Sequence, residues 1–192
     1  MSSTAPVTTT LEGRSMHPQK RTLLWINLLG GVAVLGSYAH GLLTHPETSG
    51  ELWGGVPNGL RPVYTLNMLL AAAGYFLFSF FVFFRVDPDR VRVGSFGFGL
   101  FNALYAAILV PSALWLPLTF EMLDAPGALL WLAIRTGLLI TGIASLGLML
   151  AIARAEPHDA PWARRLALLG TTFFTLQTLL LDALVWPVYF PG

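Results

Sequence analysis

Arg135 and Asp182 are the residues of this sequence best placed to do chemistry, because each interrupts a long apolar run. A charge at bilayer depth costs at least about 2.5–3.5 kcal/mol on insertion scales, so such residues pair with each other or serve a function. Arginine offers a planar fork for a carboxylate or carbonyl, and aspartate offers acceptor oxygens. More polar side chains recur nearby. Thr171, Thr175, Thr178 and Asp182 are spaced by four, three and four residues, which draws one helical stripe continued by Trp186 and Tyr189. Tyr64 and Asn67 share a helical face, His40 stands near the end of the preceding apolar run, and Trp53 lies in the loop between the two runs. The candidate ligand-binding set is therefore Arg135, Asp182, Asn67, Tyr64, Trp53, Trp186 and His40.

Other chemistry is poorly supplied. With 0 cysteines there is no disulfide, thiolate metal site or cysteine nucleophile. Of the 4 histidines, His17, His45 and His158 fall outside the apolar runs, so facing axial ligands for a membrane haem are missing. No His-x-x-x-His or Glu-x-x-His spacing occurs, which predicts no metal site and no cofactor. Gly94-Ser95-Phe96-Gly97-Phe98-Gly99 has no preceding strand and reads as packing rather than a phosphate loop. An enzyme would have to use Asp182, Glu121 or His40 as acid or base without a nucleophile at catalytic spacing. A non-catalytic protein is the expectation.

The elements that must position these residues follow from composition. The chain has 192 residues, 55% hydrophobic and 11% charged, against roughly 25% charged in an ordinary soluble domain. Net charge is +1, so no basic footprint points to nucleic acid. Residues 1–21 are polar and read as a flexible tail, and residues 22–192 as a single membrane domain. Apolar runs at 22–43, 63–84, 96–118, 128–153 and 166–189 are each long enough to cross about 30 Å of hydrocarbon as a helix. The predicted fold is all-α, a polytopic five-helix transmembrane bundle.

Charge placement orients it. Arg14, Lys20, Arg21, Arg85, Arg90, Arg92, Arg154, Arg164 and Arg165 fall on one side, and Arg61 alone on the other. The positive-inside rule then gives a cytoplasmic amino terminus and an external carboxyl terminus, with a bacterial inner membrane as the expected location. Trp53, Trp115, Trp131 and Trp186 mark the external boundary, and Trp25 and Trp162 the internal one. Ser37-Tyr38-Ala39 resembles a signal-peptidase site, and cleavage there would leave four helices with the same orientation.

Short connections predict antiparallel neighbours among consecutive helices. The 44–62 loop is long and rich in Gly, Pro and Trp53, as an external cap would be. Small residues recur every fourth position at Ala33, Ser37 and Gly41, at Ser95, Gly99, Ala103 and Ala107, and at Ala133, Gly137, Thr141 and Ser145. Such stripes predict close helix packing. Pro111 predicts a kink, and Pro187 a distorted helix end. Arg135 and Asp182 each fall about 10 Å below the external edge, on helices 4 and 5, so they are expected to meet. That pair either fixes helix register or lines an external-leaflet pocket for an amphipathic molecule.

Leu42-Leu43-Thr44-His45-Pro46, then Trp53, Pro57 and Pro62-Val63-Tyr64, together with Phe101-Asn102-Ala103-Leu104-Tyr105, resemble the translocator-protein (TspO) family. The resemblance covers about a third of the chain and implies a pocket for porphyrin- or sterol-like ligands beneath the first loop. Helix 5 departs from that family's aromatic and Asn pattern and carries Asp182, and Arg135 has no counterpart there. Two functions are expected to compete. One is binding or carrying an amphipathic small molecule; the other is an accessory or assembly role in a larger membrane complex or homo-oligomer.

Overall fold

The computed structural model describes residues 16–157 and 160–190. Residues 1–15 of the expected 1–21 tail, and His158, lie outside the described residues. Five helices follow one another: α1 (Pro18–Thr44), α2 (Arg61–Phe84), α3 (Gly99–Asp124), α4 (Ala128–Arg154) and α5 (Pro161–Tyr189). All five are long and apolar enough to cross a membrane. Within α5, residues Leu176–Val185 are π-helical. Prolines open α1, α2 and α5, where the missing N–H has no intrahelical partner to lose.

The ends differ from expectation by a turn or so. α3 starts at Gly99 rather than 96 because Val93 and Phe96 close a tight turn, and Arg92 pairs with Glu156 through both backbones. It then runs through Pro111 and Pro117 to Asp124, past 118. Each proline removes one backbone hydrogen bond but leaves the apolar faces of the helix in place. α1 begins at Pro18, inside the segment expected to be tail, with His17 accepting from the Gln19 N–H as its cap.

Helix order is not sequential. α1 packs on α3, α3 on α4, α4 on α5, and α5 on α2. The connections at 45–60 and 85–98 are long enough to cross the ends of the bundle, so α2 is free to dock on α5. Glycines explain that docking. A Cβ on Gly74 would stand 2.5 Å from the Gly170 carbonyl oxygen, and one on Gly170 would stand 2.7 Å from that of Gly74. Backbone meets backbone there.

The expected small-residue stripes are only partly the packing faces. Thr141 and Ser145 are buried, but Ala33, Gly99, Ala103 and Ala133 are exposed. Gly41 of the first stripe does pack tightly, on Leu116 and Phe120, and further tight contacts fall at glycines outside the stripes, Gly30 on Leu109 and Gly142 on Leu179.

Two apolar clusters divide the bundle. At the end where α1 starts, here termed the basic end, Leu23, Phe78, Phe101, Tyr105, Leu148 and Ile152 are buried together. At the opposite, far end the core comprises Val56, Tyr64, Ile134, Trp186 and Phe190. The 45–60 connection folds back over that end. Gly55 N–H donates to the Tyr189 carbonyl at 2.8 Å, and the Trp186 indole N–H donates to the Leu52 carbonyl at 2.9 Å. Gly54 has φ +53°, and a Cβ on it would come within 2.9 Å of Phe190.

Candidate functional site: a carboxylate beneath the far-end cap

The π-helical stretch of α5 builds the site. In an α-helix, positions five apart differ by about 140° around the axis and cannot touch. The wider i→i+5 ladder brings them nearly into line. Gln177 and Asp182 are five apart, and the Gln177 amide donates to Asp182 Oδ1 at 2.8 Å. Two residues of α2 engage carbonyls along the same stretch. The Asn67 amide donates to the Phe173 carbonyl at 3.2 Å and to Gln177 Oε1 at 3.0 Å. The Tyr64 hydroxyl donates to the Leu181 carbonyl at 2.9 Å. A chain of side chains thus runs Asn67, Gln177, Asp182, and Gln177 belongs to the site although its spacing does not advertise it.

The π register also separates the threonines from the carboxylate. Thr178 faces α4, 2.8 Å from the Ser145 hydroxyl. Asp182 instead lies within electrostatic reach of the hydroxyls of Tyr38 and Tyr64. Stripe and carboxylate were expected on one face, and the extra residue per turn divides them.

Arg135 and Asp182 do not meet. Arg135 is exposed on the outside of the bundle, its guanidinium 5.9 Å from the centre of the Trp131 ring. Counting along α4 and α5 gives no information on facing: the helical phase of Arg135 points it away, and the ring face holds it there. His40 is also exposed, and stands apart from the site. The structure therefore brings Asp182, Asn67, Tyr64, Trp53 and Trp186 to one end and leaves Arg135 and His40 outside.

Aromatic rings cluster at this end of the bundle. Trp53 meets Tyr64 edge to face at 6.0 Å, and Arg61 lies 5.6 Å over Trp53. Trp186 stacks on Phe190 at 4.3 Å and touches Trp115 at 5.8 Å and Trp131 at 6.1 Å. Trp115 in turn lies 6.0 Å from Tyr38, and its indole N–H is buried without a partner.

The two halves of the boundary between α1 and α2 differ. Positions 27, 31, 34 and 38 of α1 share one face, and positions 68, 72, 75 and 79 of α2 share another. Toward the basic end these faces are joined. The Tyr75 hydroxyl donates to Asn27 Oδ1 at 2.6 Å, while Ser79 of the same α2 face bonds the hydroxyl of Tyr105 on α3 at 3.0 Å. Toward the far end the same faces carry Met68 and Ala72, both exposed, and Gly31, whose added Cβ would meet nothing within 4 Å. Asp182 itself is only partly buried.

Two grooves lie elsewhere. One of about 390 Å³ runs between α1 and α3, lined by apolar residues such as Trp25, Leu29, Leu109 and Val110. Another, of about 440 Å³, lies at the basic end around His17, Lys20, Arg85 and Asp89, where His17 and Asp89 approach to 3.2 Å. The first lacks converging polar groups to orient a ligand, and neither includes Asp182.

Among known proteins, no family model, no curated protein and no solved structure matches this chain.

Proposed function

We propose that this is an integral membrane protein that binds or carries an amphipathic small molecule at Asp182, in the leaflet on the far side of the bundle. The basic end faces the cytoplasm under the positive-inside rule, so the amino terminus is internal, the site external and a bacterial inner membrane the setting. The molecule enters sideways between α1 and α2, past Met68 and Ala72. Its polar end reaches Asp182, and its apolar body rests against the aromatic rings of the cap.

The observation that carries this reading is the state of Asp182. It is an acidic side chain within a long apolar helix, held by one hydrogen bond, with no cation beside it among the described residues. Purely structural carboxylates in membranes are paired and closed off. The local π-helix is consistent with the same reading, since such segments recur at functional sites.

Exposed small residues favour a second reading. Gly99 and Ala103 on α3 and Ala33 and Gly36 on α1 are exposed, as faces for a partner helix would be. On that reading the chain is an accessory or assembly subunit, or forms a homo-oligomer.

One preparation separates the two. The protein is extracted from native membranes in mild detergent and examined by native mass spectrometry. Binding predicts a reproducible small molecule on the wild type that is lost in Ala72→Trp, which fills the proposed way in between α1 and α2. An empty chain that instead co-purifies with stoichiometric protein partners overturns the binding reading.

A further inference from the structure

We infer that the polar end of the molecule taken at Asp182 is a protonated amine. This rests on the binding reading above and adds the chemical class. Most hydrogens near the carboxylate are already given away, and the Tyr38 hydroxyl and the Trp115 indole N–H are the donors left over. Gln177 gives its amide hydrogen to Asp182 Oδ1 and takes one from Asn67 on its own oxygen. The Tyr64 hydroxyl hydrogen is committed to the Leu181 carbonyl, so toward the site that oxygen can only accept. Asp182 Oδ2 has no hydrogen bond among the described residues.

The two cations nearest this end stand on ring faces, Arg61 over Trp53 and Arg135 over Trp131. Neither neutralises the carboxylate. An anionic head group would meet a like charge in a poorly screened setting, and a carbonyl would leave the charge of Asp182 without a counterpart. An alkylammonium supplies a positive charge together with N–H donors, and the indole and phenol faces at this end of the bundle also favour a cation. A quaternary ammonium would satisfy the charge but leave the acceptor oxygens without hydrogens, so the class is a protonated amine on an apolar body.

Three probes of one chain length separate the possibilities: dodecylamine, dodecanol and dodecanoate. Each is titrated into the full chain in nanodiscs of zwitterionic lipid, and saturable binding is read from tryptophan fluorescence. Dodecylamine is expected to bind about tenfold or more tightly than dodecanol, with dodecanoate weakest. Asp182→Asn keeps the shape and the Gln177 bond, so it is expected to fold, with helical circular dichroism as the check, and to bring the amine down to the level of the alcohol. The comparison among probes on the wild type stands without any variant. Equal binding of amine and alcohol overturns the amine assignment and leaves the site intact. No saturable binding by any of the three overturns the site as well.

Discussion

The two halves of the α1–α2 seam use the same faces in opposite ways. Toward the basic end, Asn27 receives the Tyr75 hydroxyl across the seam and Ser79 of α2 bonds Tyr105 of α3, over a core that includes Leu23, Phe78 and Phe101. Toward the far end, Gly31, Met68 and Ala72 leave the faces apart, and the polar groups behind them are turned inward on α5. In the first half, polar side chains join helices. In the second, they hold a carboxylate. The lesson is that a polar residue in an apolar bundle is read by what it touches, because residue type and depth are alike in the two halves.

The largest effect expected on this contrast comes from the helix that anchors the site. Gly74→Val drives a branched side chain into the Gly170 backbone, which cannot move aside as a side chain could. A loss of about 3 kcal/mol or more is expected. Gly31→Val, facing open space on the seam, is expected to change stability by less than about 1 kcal/mol. Unfolding in lipid or mild detergent measures both, and equal losses would erase the distinction between packed and open faces.

A smaller effect is expected where the seam is joined. Tyr75→Phe removes the bond to Asn27, and hydrogen bonds between membrane helices contribute about 0.6 kcal/mol on average, up to about 1.7. Met68→Leu, on the same face of α2 but in the open half, is expected to leave the unfolding transition where it is. A Tyr75→Phe protein as stable as wild type would mean that the seam is not held at that point.

The smallest effect concerns Arg135. Exposed and set over Trp131, it is expected to tolerate Arg135→Ala within about 0.5 kcal/mol. Combining it with Asp182→Asn should give effects that add within about 0.3–0.5 kcal/mol. A larger coupling in a double-mutant cycle would restore the ion pair that the depth argument first suggested.

Much of this architecture is legible in the sequence, and the exceptions have physical causes. The five helices follow from run length, since a segment of more than twenty apolar residues has few alternatives in lipid. The gathering of Trp53, Tyr64, Asn67, Trp186 and Asp182 at one end follows from helix direction alone. Helix order does not, because long connections permit several arrangements and the deciding contact is a lone glycine on each helix, Gly74 and Gly170. The partner of Asp182 depends on the hydrogen-bond register of α5. Residues Leu176–Val185 carry no proline or glycine to announce a π-helix, and α-helical spacing assigns Asp182 to the threonines rather than to Gln177. Arg135 was misplaced for a related reason: depth is fixed by counting, whereas facing is fixed by packing.

The central claim is that a ligand reaches Asp182 through the far half of the seam, and photo-crosslinking locates it most directly. A dodecylamine bearing a diazirine is incubated with the chain in lipid nanodiscs, irradiated, and the adducts are mapped by peptide mass spectrometry. The account predicts adducts concentrated on Tyr38, Met68 and Ala72, suppressed by excess dodecylamine and by Asp182→Asn. Adducts spread evenly over outward-facing residues such as Leu35, Phe76 and Leu132, and unaffected by either treatment, would contradict it.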